Sequence, residues 1–152
     1  MTQRYTGGCQ CGALRYEITE EPIVLYLCHC SECQTQSGSA FGMSLTVPHS
    51  GFRMTSGKPK TWRRSSASGR TVECAFCPDC GSRIYHQPER VGDTLNIKPG
   101  TLDDTSWLDP AGELWTDSAQ PWIRFDDGRI RMATQPNDFT QIRDAWRRKR
   151  QS

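Results

Sequence analysis

The sequence lacks any long apolar run. Nowhere in its 152 residues do about 18 consecutive apolar side chains occur, which is the length that a membrane-spanning helix requires. The opening segment, MTQRYTGGCQ, has no apolar stretch of the kind found in secretory signals. We therefore expect a protein without a membrane segment that works in the cytoplasm.

The sequence also lacks a charge excess of either sign. Its 19 Lys and Arg residues and 17 Asp and Glu residues leave a formal net charge of +2, which does not indicate nucleic acid or a membrane surface as a partner. The basic run RRKR at 147–150 could suit phosphate groups. We favour the simpler interpretation of a solvated, charged tail after the last helix.

Hydrophobic residues are also sparse. They make up 35% of the chain, and the mean hydropathy is −0.69, so the apolar core is modest for this length. The length suits one domain over residues 1–152, and a homo-oligomer is compatible with the sequence. Eight cysteines are the obvious additional support, and in a reducing cytosol they are expected to bind metal rather than form disulfides.

Short segments with alternating polarity predict a mainly β protein. Leu14, Tyr16 and Ile18, for example, would share one face of a strand. The predicted strands cover residues 13–19, 23–27, 41–47, 61–63, 71–76, 83–85 and 95–97. One short helix is expected at about 138–149, because Phe139, Ile142 and Trp146 recur at helical spacing there.

The cysteines form three clusters whose spacing is typical of metal-binding turns. The clusters are Cys9 and Cys11, then Cys28, Cys30 and Cys33, and finally Cys74, Cys77 and Cys80. Tetrahedral zinc, with Zn–S bonds of about 2.3 Å, needs thiolates within about 4 Å of each other, which such short turns can supply. Glycines flank the outer clusters and help those turns to close.

Two cysteine pairs fill one tetrahedron completely. Cys9 and Cys11 together with Cys77 and Cys80 would form a closed, structural zinc site. Cys77-Pro78-Asp79-Cys80 could alternatively be a redox motif, but such motifs usually open a helix within a βαβ unit, which the sequence does not suggest.

The middle cluster is one ligand short of a tetrahedron. Cys28, Cys30 and Cys33 would hold a second zinc with an open fourth position, as in catalytic sites. If Cys74 joined them, both sites would be closed. Cys74 alternates with Val72 and Phe76 on a predicted strand, so we expect it to be a buried structural thiol.

The histidines and tryptophans offer weaker signals. His29 lies between two predicted ligands and is expected to face solvent, and no catalytic residue is assigned beyond the zinc-binding cysteines. The C-terminal tryptophans at 107, 115, 122 and 146 could line a pocket, but we expect them to belong to the core.

Four motifs in a fixed order carry a resemblance to a known family. GGCQCGALRYE, CHCSECQTQSGSAF, FCPDCGSRIY and KPGTLDDTSWL make the chain resemble the glutathione-dependent formaldehyde-activating enzyme family, also called the centromere protein V domain, over about residues 6–122. The resemblance implies zinc-pinned antiparallel sheets of the β-tent type. It also implies the same division of the cysteines between a structural and a catalytic zinc.

The resemblance further implies a reaction. The named family activity adds glutathione to formaldehyde and is classed as a carbon–sulfur lyase, so the expected partners are a small thiol and a small aldehyde. The alternative is a zinc-stabilised binding module that carries out no chemistry.

Overall fold

The computed structural model describes residues 3–66, 69–89 and 93–152. Within these residues the chain forms eleven β-strands and two α-helices. The strands are β1 (Tyr5–Gly8), β2 (Arg15–Ile18), β3 (Val24–Cys28), β4 (Gly42–Pro48), β5 (Phe52–Ser56), β6 (Lys60–Ser65), β7 (Thr71–Phe76), β8 (Arg83–Pro88), β9 (Thr94–Ile97), β10 (Gly112–Leu114) and β11 (Ile130–Met132), and the helices are α1 (Ser31–Ser37) and α2 (Thr140–Gln151). The expected mainly β class, with antiparallel sheets and a short C-terminal helix, is confirmed.

Each predicted strand coincides with or overlaps an observed one, but several elements were missed. Strands β1, β5, β10 and β11 and helix α1 were not predicted from the sequence. Helix α2 continues to Gln151, so the basic run at 147–150 belongs to the helix and is not a tail that follows it. No helix among the described residues has both the length and the apolar character needed to cross a membrane.

The chain divides into two compact units. The first comprises Met1–Pro22 and Leu45–Trp107, and the second comprises Ile23–Ser44 and Leu108–Ser152. The prediction of a single domain over 1–152 stays a prediction.

The first unit is built from antiparallel strands. One sheet has the order β1-β2-β5. A second set of antiparallel strands begins with the pairing of residues 45–48 of β4 with β9. Strands β8, β7 and β6 follow in that order. The β1–β2 turn and the β7–β8 turn both belong to this unit, and these turns carry the outer cysteine clusters.

The core of the first unit follows the predicted alternation. Leu14, Tyr16 and Ile18 are all at most 1% exposed, as expected for one face of β2. Glu17, on the opposite face, is also buried, and its carboxylate is paired with the guanidinium groups of Arg4 and Arg53. The pairing offsets part of the cost of removing a carboxylate from water.

The second unit contains parallel strand pairs, which the sequence did not indicate. Strand β10 pairs in parallel with both β3 and β11. Helix α2 packs on this unit through Ile142 and Trp146, its buried residues, in agreement with the predicted helix face. Gly112 of β10 permits the approach, because a Cβ atom there would lie 2.9 Å from Cγ2 of Ile142.

The tryptophans do not all belong to the core. Trp146 is buried, and Trp107 packs against Tyr5 with ring centroids 4.7 Å apart. Trp122, in contrast, is 63% exposed, so the expectation of a core position is wrong for this residue.

The close packing of β1 yields a test of the fold. In Gly7→Ala the new Cβ would lie 2.5 Å from the carbonyl oxygen of Thr101 and 2.5 Å from the ring of Tyr16, so we expect a loss of about 1–3 kcal/mol in unfolding free energy. Gly100→Ala is the matched control, because a Cβ there meets no atom within 4 Å. Denaturant unfolding of the purified variants measures both, and equal stability of the two variants would contradict this packing.

Candidate metal centres

The β1–β2 turn carries the first two cysteines. The backbone N–H of Cys9 donates to the carbonyl of Leu14 (3.1 Å), and Gly12 N–H donates back to the carbonyl of Cys9 (3.1 Å). Gly12 adopts φ = 81°, a conformation that side chains with a Cβ rarely accept. The turn therefore folds tightly around Cys9 and Cys11.

The β7–β8 turn carries the second pair in a similar way. Cys77 N–H donates to the carbonyl of Ser82 (2.8 Å), and Gly81 N–H donates to the carbonyl of Cys77 (2.9 Å). Gly81 has φ = 78°. A strand, β8, follows this turn and not a helix, so the redox-motif alternative for Cys77 and Cys80 lacks the helix that it requires.

The four sulfurs of these two turns converge. The Sγ atoms of Cys9, Cys11, Cys77 and Cys80 all lie within 4.8 Å of one another. The Cys9–Cys11 distance is 3.5 Å and the Cys11–Cys77 distance is 3.7 Å. A tetrahedral zinc with bonds of about 2.3 Å requires sulfurs about 3.8 Å apart, so this donor set fits the metal.

Hydrogen-bond donors face two of the sulfurs in this first cluster, those of Cys9 and Cys80. Leu14 N–H lies 3.1 Å from the sulfur of Cys9. The hydroxyl of Ser82, 3.2 Å from the sulfur of Cys80, lowers the pKa of that thiol to about 5, with help from the Ser82 backbone. Thiolates are the form in which cysteines bind metal.

The middle cluster is formed where β3 ends and α1 begins. Cys28 is the last residue of β3, and Cys30 caps α1 by accepting a hydrogen bond from Cys33 N–H at 3.3 Å. The three sulfurs lie within 4.8 Å of one another. The nearby Cys30 and Cys33 raise the pKa of Cys28, because a thiolate there would face two other sulfurs. A bound cation would offset this repulsion, so the group fits a metal as well.

Cys74 stands apart from both groups. Among the described residues it belongs to neither cluster of convergent ligand atoms. It is 3% exposed on β7, paired between Trp62 of β6 and His86 of β8, and its sulfur lies 3.9 Å from the carbonyl of Val72. The structure thus places it as a buried thiol within the first unit, as the alternation predicted.

The histidines correct the sequence interpretation. His29 was expected to face solvent, but it is fully buried, and its Nε2 lies 3.1 Å from a carboxylate oxygen of Glu113. His86 is buried beside Asn96, whose amide nitrogen lies 3.2 Å from its Nε2. The pKa of His86 is held well below its usual value. Burial is the larger cause, and neighbouring cations add to it.

An open groove of about 640 Å³ lies on the second unit, along α1. The residues that line it carry no formal charge, and they include Gln34, Thr35, Ser39, Phe41, Gln120 and Trp122. Gln34 directly follows Cys33 of the middle cluster in α1. The sequence offered Trp122 as a possible pocket residue, but a core position was expected for it; the other lining residues were missed because they come from two distant segments.

The comparison with protein families decides the chain's relationship. The family described as glutathione-dependent formaldehyde-activating enzyme matches residues 4–118, a span that includes all eight cysteines. The chain belongs to this family. The resemblance inferred from the four sequence motifs is therefore confirmed.

A solved structure gives independent support for the fold of this family member. A crystal structure of a Rhodobacter sphaeroides protein is similar to the chain with a TM-score of 0.55 and 19% sequence identity. The similarity covers 84% of this chain and 98% of that protein. At this identity the likeness shows a shared fold and nothing about the reaction.

Cys77 lies inside a cluster of convergent sulfurs and Cys74 lies outside both clusters, so substitutions of these two residues form a paired test. Cys77→Ala should lose one of two zinc ions and more than about 4 kcal/mol of unfolding free energy, because loss of a structural metal is among the most costly changes. Cys74→Ala should keep both ions, since Cys74 lies outside both clusters. Metal analysis of the purified variants measures this. Loss of a zinc from Cys74→Ala would show that the ligand sets are wrong.

Proposed function

We propose that this family member is a zinc-dependent enzyme of the carbon–sulfur lyase type. It forms or breaks the adduct between a thiol such as glutathione and formaldehyde or another small aldehyde. A cytoplasmic location suits this proposal, because the cysteines must stay reduced to bind metal. Family membership supports the substrate pair, and the geometry of the middle cluster supports the chemistry.

One observation carries the proposal. The group of Cys28, Cys30 and Cys33 contains three convergent sulfurs, whereas the group of Cys9, Cys11, Cys77 and Cys80 contains four. Four protein ligands are typical of structural zinc, and three are typical of catalytic zinc, which takes its fourth ligand from water or substrate. We therefore assign a structural role to the four-cysteine group and a catalytic role to the three-cysteine group.

The donor set indicates what a metal at the three-cysteine group would do. Three thiolates and Zn²⁺ give a complex with a net charge of about −1, a weak Lewis acid that is suited to exchanging soft sulfur ligands. When bound, zinc would supply activation of the substrate thiol as a thiolate. The three cysteines of this group would hold the ion and leave one ligand position for that sulfur.

The reaction balances without an oxidant or reductant. The thiol loses its proton to water, and its sulfur attacks the carbonyl carbon of the aldehyde. A C–S bond forms, and the carbonyl oxygen takes a proton to give a hydroxymethyl thioether. The reverse reaction breaks the same bond.

We propose that the groove along α1 receives the body of the thiol substrate. Its wall is a chain of hydrogen bonds: the indole N–H of Trp122 donates to Gln120 (2.7 Å), and the Gln120 amide donates to Gln34 (3.3 Å). Gln34 in turn donates to the carbonyls of His29 (2.7 Å) and Ser118 (2.9 Å). Neutral amides and an exposed aromatic ring match the peptide groups of a glutathione-like thiol.

A binding module without chemistry is the second candidate. The closed four-sulfur group supports it, because a structural metal alone would account for that group. Proton NMR separates the two candidates. Acceleration of adduct formation between glutathione and formaldehyde above the spontaneous rate supports the enzyme, and no acceleration supports the module.

The ligand assignment predicts the effect of removing Cys30. Cys30→Ala should lose one zinc and reduce adduct formation by at least about 100-fold, because two thiolates do not retain a catalytic zinc. The ion of the four-cysteine group should remain, and thermal unfolding should stay cooperative. Full activity with only one zinc bound would refute the catalytic role of this group.

The groove predicts a change in substrate affinity. Trp122→Ala should raise KM for glutathione about tenfold with little change in kcat, the loss expected when one well-placed aromatic contact is removed. Trp62→Ala is the matched control, since Trp62 is similarly exposed (56%) but lies on β6 of the first unit. Equal KM values for the two variants would contradict the role of the groove, while zinc content should stay unchanged in both.

A further inference from the structure

The side chain of His29 has an unusual place next to the proposed catalytic cysteines. It lies between Cys28 and Cys30, whose sulfurs converge, and its ring is fully buried. His29 is not among the convergent ligands of the described residues.

The ring of His29 is held on several sides. Its Nε2 lies 3.1 Å from Oε1 of Glu113. The rings of Phe41 and Phe125 meet it edge-on, with centroids 5.5 Å and 5.7 Å away. The guanidinium of Arg131 stacks 5.1 Å from the centre of the Phe125 ring, and its Nε lies 3.4 Å from Oε2 of Glu113.

The backbone of His29 is anchored as firmly as its ring. Its N–H donates to the carbonyl of Leu114 (2.9 Å), and its carbonyl accepts from Gln34 (2.7 Å) and from the hydroxyl of Ser118 (3.1 Å). The parallel pairing of β3 with β10 sets Leu114 opposite Cys28, so Glu113 is placed beside the end of β3. The whole residue is therefore fixed, and the cysteines on either side of it are fixed with it.

Stability alone does not account for this buried polar group. Glu113 is only 4% exposed, and placing a carboxylate in such a position costs free energy that its partners largely offset rather than exceed. Apolar side chains of similar volume would serve packing at least as well. The hydrogen bond between Glu113 and His29 fixes the orientation of the imidazole ring, which an apolar contact would leave free.

We infer that Glu113 and His29 are positioning residues of the three-cysteine site. Glu113 orients the ring of His29, and the fixed ring holds the chain between Cys28 and Cys30 so that their sulfurs keep the spacing that a metal needs. The inference rests on the proposed second zinc site and assigns its support to residues that do not touch the metal.

The test uses the zinc-loaded protein of residues 1–152 and a chromophoric zinc chelator. Glu113→Gln keeps the size of the side chain but removes its charge, and we expect the affinity of the second site for zinc to fall about tenfold, at the low end of the loss seen for outer-shell partners of metal sites. The ligand-field absorption of Co²⁺ bound at that site should also shift. The four-cysteine site should keep its affinity.

Glu17→Gln is the matched control, because Glu17 is equally buried (4%) and also paired with arginine, but in the first unit. It should lower stability without altering second-site affinity or the cobalt spectrum. Glu113→Gln affinity within twofold of the parent, or an equal loss in Glu17→Gln, would overturn the inference.

Arg131→Gln provides a second variant in case Glu113→Gln does not fold, since Arg131 is 26% exposed. A smaller loss of second-site affinity is expected, and no loss would overturn the inference. The zinc content of the parent protein distinguishes failure of the proposed function from failure of this inference alone. If it binds only one zinc, the proposed function fails together with the inference, whereas two zincs and an unaffected Glu113→Gln variant refute the inference alone.

Discussion

The convergence of four cysteine sulfurs is the constraint on which the first unit depends. Cys9 and Cys11 are separated from Cys77 and Cys80 by more than sixty residues, yet all four sulfurs lie within 4.8 Å of one another. A metal there joins two hairpin turns and adds its binding free energy to folding. A chain with only 35% hydrophobic residues gains more from such a link than a chain with a large core.

The second cluster meets a different requirement. Its three cysteines lie within six residues, so the chain needs no distant contact to collect them. A short segment must nevertheless be held rigid if three sulfurs are to present one shared position to a ligand. The cap of α1 at Cys30 and the buried contact between His29 and Glu113 supply that rigidity within the second unit. The two groups thus differ in the number of convergent sulfurs and in how they are supported.

Sequence reasoning succeeded where the signal is local. Cysteine spacing predicted the two groups of cysteines whose sulfurs converge, and alternation predicted β2, β7 and the burial of Cys74. Helix α1 was not predicted because its residues, SECQTQS, show no apolar periodicity. It is set by its ends, the cap at Cys30 and the left-handed Gly38. Such capping contributes without leaving a hydrophobic pattern.

The environment of His29 could not be read from the sequence for a different reason. Its partner Glu113 is 84 residues away and reaches it only through the parallel pairing of β3 with β10, a strand of three residues. Strands this short carry no periodicity, and parallel partners are not joined by a tight turn that would reveal them. The groove is hidden similarly, because it combines α1 with residues near Trp122.

The central claim is that two zinc ions are bound with unequal sulfur shells. Zinc X-ray absorption of the purified protein tests it most directly. We expect a sulfur shell at about 2.3 Å together with a lighter scatterer at about 2.0 Å, because seven cysteine sulfurs would serve two ions that need eight ligands. Two ions with sulfur as their only neighbours, or a single ion per chain, would contradict it.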